Sequence, residues 1–240
     1  MPNGQLYLVP TPIGNLSDIT DRARELLTSV DLVACEDTRV SGRLMQLLGL
    51  KKKLISYHEF NERERSAQLI ERIRTGESVA VISDAGSPGI SDPAYRVVRA
   101  AIDAGIQIVA LPGPSAIIPA LTASGLPTDR FFFEGFLSHK SGPRKRRLEA
   151  IRKYPHTLIF YESPFRVHKT LAAMHEVFGN RQVCLSREIS KKFEEHLRGP
   201  LAEIVKAIEG RTVKGEIVLC VAGQESTDDD ETSDIGESDE

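Results

Sequence analysis

Five short segments of the sequence are rich in glycine, proline or acidic residues, and four of them contain a carboxylate. Each follows an apolar stretch with the pattern of a strand. The segments are PTPIGNLSDIT (10–20), CEDTR (35–39), SDAGSPGISDP (83–93), LPGPSA (111–116) and YESPFR (161–166). Glycine permits close backbone approach, and proline holds a loop open with little entropy left to lose. These residue types predict a rigid cup of main-chain amides and carbonyls that binds a small molecule.

The motifs that the sequence lacks narrow the class of ligand. It contains neither GxGxxG nor GxxxxGK[ST], so neither a dinucleotide fingerprint nor a phosphate loop is supported. An adenine-containing ligand held mainly by main-chain groups fits better than ATP or NAD. Without CxxC or HExxH, we expect no protein-bound metal. The cysteines Cys35, Cys184 and Cys220 lie far apart in apolar runs and are predicted to be buried thiols.

Apolar strand-like runs alternate with helical patterns along the chain, which predicts an α/β fold with helices on both faces of the sheets. One series runs from QLYLV to SAIIPALTASG, and a second runs from FFFEGF to GEIVLCVAG. We therefore predict an N-terminal α/β domain over residues 1–114 and a C-terminal α/β domain over residues 115–224. In open α/β sheets ligands bind beyond the carboxyl ends of the strands, where the five segments lie.

The composition is 40% hydrophobic and 27% charged, which is typical of a globular protein. No window approaches the ~20 apolar residues of a membrane span, and the first residues lack a signal-peptide pattern, so a cytoplasmic protein without membrane contact is expected. Residues 225–240 contain nine acids and no Lys or Arg. Because the whole chain has a net charge of −3, the remaining residues have a net charge of +6. This acidic tail is predicted to be disordered.

Five motifs, in this order, carry a resemblance to a known family: LVPTPIGNLSDIT, ACEDTR, SDAGSPGISDP, LPGPSA and FYESPFR. Together they resemble the ribosomal RNA branch of the tetrapyrrole methylase superfamily, and in particular the ribosomal RNA small subunit methyltransferase I family. The resemblance implies a two-domain tetrapyrrole-methylase-like fold, a homodimer, and S-adenosyl-L-methionine bound in the cleft between the lobes. It also implies 2′-O-methylation of the ribose of a cytidine in the decoding region of 16S ribosomal RNA, with the 30S subunit as partner.

The resemblance also implies a set of cofactor-binding residues. They are Ile13, Asp84, Ala85, Gly86, Ser87, Ile90, Ser115, Ala116, Glu162 and the backbone around Glu216. Porphyrin-directed relatives tend to have GxGPGD and GDP where this chain has PTPIGN and GSP, which disfavours a tetrapyrrole substrate. Two alternatives stay open, a methyltransferase for a tetrapyrrole or other small molecule and a catalytically silent adenosyl-ligand-binding assembly factor.

Methylation of a ribose hydroxyl requires a group that removes its proton. The candidates are Asp37, Asp84, Asp92, Glu162, His58 and Glu59. Asp37 is the first choice and Asp84 the second. Arg39, beside Asp37, would hold a phosphate or orient the carboxylate.

The densest positive stretch is HKSGPRKRRLEAIRK, residues 139–153. Since the implied substrate is a polyanion, this stretch is predicted to contact RNA phosphates. The predicted RNA-binding residues are Lys140, Arg144, Lys145, Arg146 and Arg147. A solvated helix face is the alternative interpretation.

Overall fold

The computed structural model describes residues 4–224, and the predicted acidic tail lies outside them. The chain forms two compact units, Met1–Ala116 and Ile117–Glu240. The sequence placed the boundary between residues 114 and 115. Each unit contains one five-stranded sheet with helices, which confirms the predicted α/β class. That each unit is an independent folding domain stays a prediction.

The first unit is built on a parallel sheet with strand order β3-β2-β4-β1-β5. Its strands are β1 (Leu6–Leu8), β2 (Leu32–Cys35), β3 (Leu54–Ser56), β4 (Val79–Ile82) and β5 (Ile108–Ala110). Its helices are α1 (Asp21–Ser29), α2 (Thr38–Leu47), α3 (Glu62–Arg74) and α4 (Tyr95–Asp103). A short 3-10 turn at Leu16–Asp18 precedes α1.

Strands β2 and β4 are buried along their whole length. Because successive side chains of a strand point to opposite faces, the two strands supply two separate cores. Val79 and Val81 pack with helices α3 and α4, whereas Ala80 and Ile82 pack with helices α1 and α2. The continuous apolar runs VAVI and LVAC therefore reflect a sheet covered on both faces.

The second unit is built on a mixed sheet with strand order β6-β7-β10-β8-β9. Only the pair β6 and β7 is parallel. The strands are β6 (Phe131–Phe136), β7 (Thr157–Glu162), β8 (Gln182–Arg187), β9 (Glu195–Pro200) and β10 (Ile217–Val221). The helices are α5 (Ile117–Thr122), α6 (Ser141–Ile151), α7 (Val167–Phe178) and α8 (Leu201–Ile208).

Three details bear on the sequence predictions. The three cysteines are free and buried, as predicted. Strand β9 was not predicted, because its residues, EHLRGP, carry charged side chains and pair with β8 alone. Pro200 is both the last residue of β9 and the N-cap of α8.

Within residues 4–224, no helix combines the length and the apolar character that a membrane span requires.

Candidate functional site

Four of the five segments singled out in the sequence meet at one edge of the first sheet. Strands β1, β2, β4 and β5 run parallel, so their carboxyl ends lie at the same edge. The segments that leave this edge are 10–20, 35–39, 83–93 and 111–116. These four segments lie beyond the carboxyl ends of strands, as the sequence predicts, and the fifth, 161–166, lies at the end of strand β7 in the second unit.

Gly86 lies at the centre of the hydrogen bonds that join these segments. It exchanges two main-chain hydrogen bonds with Thr11, each with an N···O distance of 2.9 Å. The Ser83 hydroxyl donates to the Gly86 carbonyl at 3.0 Å, and the Ser87 hydroxyl donates to the Pro114 carbonyl at 3.2 Å. Segments 10–20, 83–93 and 111–116 are thereby fixed side by side.

The backbone around Gly86 leaves a narrow surface without side chains. Gly86 has a φ of 81°, a region that residues with a Cβ rarely adopt. A Cβ at this position would lie 3.5 Å from Ile13 Cγ2 and 3.8 Å from the Pro114 carbonyl oxygen. A Cβ on Gly113 would lie 2.7 Å from the Cβ of Pro10, which is closer than the two atoms can approach. Glycine thus allows these loops to pack.

The other residues of the first unit predicted to hold the cofactor lie in the same three segments. Ile13, Ser115 and Ala116 are half-buried, Ala85 is exposed, and Ile90 is 41% exposed. Apolar side chains and main-chain groups therefore form most of the rim. Such a rim suits a ligand that is bound by shape and by main-chain hydrogen bonds.

Asp37 and Arg39 form a local ion pair at the start of helix α2. Asp37 is the N-cap of the helix, and its carboxylate accepts a hydrogen bond from the Arg39 main-chain N–H at 2.8 Å. The Arg39 guanidinium lies 2.6 Å from the same carboxylate and is 89% exposed. These hydrogen bonds lower the pKa of Asp37 to about 2. A carboxylate with this pKa is a weak proton acceptor at neutral pH.

Asp84, Asp92 and Glu36 form a second group of carboxyls at the same sheet edge, with the opposite electrostatic character. Burial, followed by the charges of Glu36 and Asp84, raises the pKa of Asp92 to about 6. Burial also raises the pKa of Asp84 and of Glu36. Asp84 is linked to Asp37, whose main-chain N–H donates to its carboxylate at 3.2 Å. This group, the acidic cluster, holds protons more readily than free carboxylates do.

Sequence reasoning overlooked Glu36 as a member of this cluster. The residue lies in CEDTR between the last buried residue of β2 and the cap of α2. Its position after a buried strand was the available signal. Among residues 4–224, no group of three His, Cys, Asp or Glu side chains is arranged to hold a metal ion.

The remaining candidate bases of the first unit, His58 and Glu59, follow strand β3. The His58 ring lies 3.3 Å from the Asn61 side-chain nitrogen, and its Nδ1 atom is buried without a hydrogen-bond partner among the described residues. Glu59 is exposed. The His58 ring lies close enough to Glu36 that its charge, when present, partly opposes the burial that raises the pKa of that carboxyl, so the ring lies beside the acidic cluster.

Glu162 and Glu216 lie together in the second unit, because Glu162 pairs with Ile217 across strands β7 and β10. The buried Glu162 carboxylate accepts hydrogen bonds from the Thr170 hydroxyl at 2.5 Å and the Ser163 N–H at 2.7 Å. It also forms an ion pair with Arg166 at 2.7 Å. The carboxylate oxygens of Glu162 are thus hydrogen-bonded and ion-paired by residues of the second unit itself.

The main chain of Glu216 is also engaged. Its N–H donates to the Glu188 carboxylate at 3.2 Å, and its carbonyl accepts from the Glu188 N–H at 3.0 Å. Its side chain lies 2.9 Å from the Lys191 ammonium. The predicted role of this backbone in binding a cofactor stays a prediction.

The basic residues 140–147 differ from one another in ways that the sequence did not indicate. Arg144 is 7% exposed, and its Nε atom has no hydrogen-bond partner among the described residues. Lys145 forms an ion pair with Glu176 at 2.5 Å, and Arg147 with Glu134 at 2.6 Å. The periodicity of helix α6 explains the burial of Arg144, since Leu148 and Ile151 lie on the same face.

Lys140 and Arg146 are exposed, and within residues 4–224 neither forms an ion pair. Of the five predicted RNA contacts, these two present a charge that is not already neutralised. The interaction of α6 with RNA stays a prediction.

The residues around Gly86 fit S-adenosylmethionine. The narrow surface at Gly86 is bordered by the Ile13 side chain and the Pro114 carbonyl, both uncharged. Segments 83–93 and 111–116 contain no Lys or Arg, as suits a ligand without phosphate. The donor set therefore matches an adenosyl group better than a nucleotide phosphate.

The chain matches the family model described as Tetrapyrrole (Corrin/Porphyrin) Methylases over residues 5–205. It is also similar to a solved structure of the cobalamin biosynthetic enzyme cobalt precorrin-4 methyltransferase. The TM-score is 0.68 at 17% identity, over 91% of this chain and 94% of that one. At this identity the likeness concerns the fold alone, which is the tetrapyrrole-methylase fold.

Curated relatives are much more similar in sequence. A Mesorhizobium japonicum protein named Ribosomal RNA small subunit methyltransferase I is 52% identical over 227 residues, covering 94% of this chain and 77% of its own length. A Pseudomonas aeruginosa protein of the same name is 49% identical over 235 residues, covering 97% and 83%. The fold and site thus define a tetrapyrrole-methylase-type protein. Within that class, the chain belongs to the ribosomal RNA small subunit methyltransferase I family.

Proposed function

We propose that the protein is an S-adenosylmethionine-dependent methyltransferase that acts on small-subunit ribosomal RNA. The observation that carries this proposal is the identity of about half of the residues, over more than nine-tenths of the chain, with proteins of that name. The interlocked loops around Gly86 support it, because they form a neutral cradle at the carboxyl edge of a parallel sheet.

We further propose that the target is the ribose 2′-hydroxyl of a cytidine in the decoding region of 16S RNA. This finer assignment follows the family resemblance of the loop motifs. The same resemblance leads us to propose a homodimer that works in the cytoplasm. Sedimentation of the purified chain tests the dimer directly.

The cofactor would be held by Ile13, Ala85, Gly86, Ser87, Ile90, Ser115 and Ala116. When bound, S-adenosylmethionine supplies an electrophilic methyl group on a sulfonium. Because that positive charge disperses as the methyl leaves, a cradle of neutral groups favours transfer more than a fully ionised one does. Ser87 contributes by fixing segment 83–93 to the Pro114 carbonyl.

We propose that the acidic cluster, rather than Asp37, accepts the proton of the ribose hydroxyl. General bases work best with a pKa near the operating pH. Asp92, with a pKa of about 6, and Asp84, with a raised pKa, meet this condition better than Asp37, with a pKa of about 2. Asp37 and Arg39 would then keep helix α2 and the Asp84 carboxylate in position.

The proposal is tested by transfer of a radiolabelled methyl group to purified small subunits that lack the modification. We expect label on one ribose 2′-oxygen, located by nuclease mapping, and heat release on titration with S-adenosylmethionine. Deproteinised RNA serves as a control that shows whether the assembled subunit is required. Binding of the cofactor without transfer to either substrate would favour a silent assembly factor instead.

A further inference from the structure

A cleft in the second unit lies outside the residues assigned so far. Its volume is about 520 Å³, and its walls are the segments that follow β7 and precede β10. Phe165, His168, Arg211 and Lys214 supply its larger side chains, and no carboxylate of the described residues lines it. Sites for small ligands occupy about 300–1,000 Å³, so the cleft has room for one nucleotide.

Phe165 presents an aromatic ring to solvent from a fixed turn. The residue is 91% exposed. Its N–H donates to the Ser163 hydroxyl at 3.3 Å, and the N–H groups of Arg166 and Val167 both donate to the Ser163 carbonyl at 3.0 Å. A large apolar side chain on such a turn gains nothing from burial within the unit. It is instead preorganised to stack on a flat partner.

The cations of the cleft are only partly neutralised. Arg211 shares the Glu195 carboxylate with Arg187, at 2.6 Å each, so two guanidinium groups face one carboxylate. Lys214 is exposed and forms no ion pair within residues 4–224. An aromatic wall beside excess positive charge is the combination that binds single-stranded nucleic acid.

A second exposed aromatic lies at the same edge of the sheet. Strands β7 and β8 both end beside the first residue of β10, since Glu162 and Arg187 each pair with Ile217. The segment after β8 carries Phe193, which is 66% exposed, with the Lys192 ammonium 5.7 Å from its ring. Aromatic rings and cations thus recur along this edge.

We propose that the cleft binds one unstacked nucleotide of single-stranded RNA, with the base on Phe165 and the phosphate near Lys214 and Arg211. The inference rests on the proposed function for the identity of the polymer. A protein partner is less well matched, because protein interfaces are depleted in lysine and their cores in charge. Sequence-specific RNA contacts, in contrast, favour splayed bases stacked on aromatic side chains.

The test measures how the full-length protein binds a fluorescein-labelled single-stranded hexaribonucleotide. We expect Phe165→Ala to weaken binding about tenfold, as for the loss of one base stack, and Phe165→Tyr to stay within about twofold of the parent. Phe165→Leu should behave like Phe165→Ala, because it keeps hydrophobicity without a π-face. Thermal melts check that the variants fold.

Charge is tested separately. Lys214→Ala should lower the slope of log affinity against log salt by about 0.7, the value for one phosphate contact on a single strand. Lys206→Ala, a change of the same charge on helix α8, is the matched control and should leave the slope unchanged. Equal slopes for Lys214→Ala and the parent protein contradict the phosphate contact.

Further outcomes separate this inference from the proposed function. Unchanged hexaribonucleotide binding by Phe165→Ala, in a protein that methylates small subunits, overturns the nucleotide site alone. If hexaribonucleotide binding depends on Phe165 but the protein methylates no RNA, the nucleotide site is supported and the proposed function is overturned. If Phe165→Ala instead turns a dimer into a monomer in sedimentation, the ring contacts a second copy and the nucleotide site is rejected.

Discussion

The side chain of Asp92 occupies a position that is unfavourable for its charged form. Burial removes water from the carboxylate, and the charges of Glu36 and Asp84 oppose a third negative charge nearby, so its pKa rises to about 6. Asp37, at the same edge of the sheet, has a cation beside it and a pKa of about 2. Two aspartates of one site are thus suited to different tasks, proton transfer and helix capping.

Asp92→Asn is expected to stabilise the protein at alkaline pH. An acid whose pKa is higher in the folded than in the unfolded state stabilises the fold fully below about pH 4, and this contribution is lost as the pH rises through about 6. A rise of about two pKa units corresponds to about 3 kcal/mol, which partial exposure to solvent reduces, so removing the charge should raise the free energy of unfolding by about 2 kcal/mol at pH 8 and by clearly less at pH 4.5. Urea denaturation at both pH values measures the difference.

Asp129→Asn is the matched control for that change, because Asp129 is exposed. It should alter the free energy of unfolding by less than about 0.5 kcal/mol at either pH. A loss of stability for Asp92→Asn that is larger at pH 8 than at pH 4.5 would contradict the assigned electrostatics.

The variants Asp84→Asn and Asp37→Asn should lose different amounts of methyl-transfer rate, because Asp84 is proposed to belong to the proton acceptor and Asp37 to cap helix α2. If the acidic cluster takes the proton, Asp84→Asn lowers kcat about 10²- to 10⁴-fold at saturating cofactor. Asp37→Asn should cost less than about tenfold, because asparagine also caps helices. Single-turnover methyl transfer to small subunits provides the measurement. The reverse order of effects would return the role of base to Asp37.

The loop that follows strand β4, segment 83–93, needs the left-handed backbone conformation of Gly86 for its course. Gly86→Ala is expected to cost about 1–2 kcal/mol of folding free energy through backbone strain. It should also weaken S-adenosylmethionine binding at least about tenfold, because the added methyl group enters the surface between Ile13 and Pro114. Calorimetric titration and denaturation measure the two effects separately.

Gly105→Ala is the control for strain, because Gly105 has a φ of 66° at the end of helix α4 and its Cβ would meet nothing within 4 Å. It should lose similar stability and keep its cofactor affinity. Equal affinity losses in the two glycine variants would show that strain, and not the cradle, causes the effect.

Helix α6 should bind RNA mainly through the residues whose charge is free. Lys140→Ala with Arg146→Ala is expected to lower the slope of log affinity against log salt by about 1.4, as for two single-strand phosphate contacts. Lys145→Ala with Arg147→Ala should change the slope less, because both residues already pair with glutamates. Filter binding to a 16S RNA fragment provides the comparison. Similar slopes for the two double variants would support an undifferentiated basic surface.

Most elements of both units follow from patterns in the sequence, because buried strands such as VAVI are continuously apolar. Strand β9 does not, since an edge strand bonded on one side can carry charged residues. The loops of the site were predictable from glycine and proline. The pairing and burial of each charged side chain were not predictable. Whether Asp37 is paired or Arg144 buried depends on neighbours that only the folded chain brings together.

At the scale of the whole molecule, each unit has a hydrophobic core of its own. The first sheet is covered on both faces by its own helices, and the second sheet packs with α6, α7 and α8. A fragment of residues 1–116 is therefore expected to fold alone, with helical circular dichroism and a single cooperative urea transition. A fragment that unfolds gradually, without a transition, would show that the units require each other.

The burial of every thiol in the sequence has a practical consequence. Cys35, Cys184 and Cys220 are fully enclosed, and burial raises the pKa of Cys220 to about 12, so these sulfurs should resist maleimides. A cysteine introduced at exposed Arg24 and another at exposed Lys206 would then be the only reactive positions. A donor and acceptor dye attached there would report, by energy transfer, any change in the separation of the two units when a methyl donor or RNA is added.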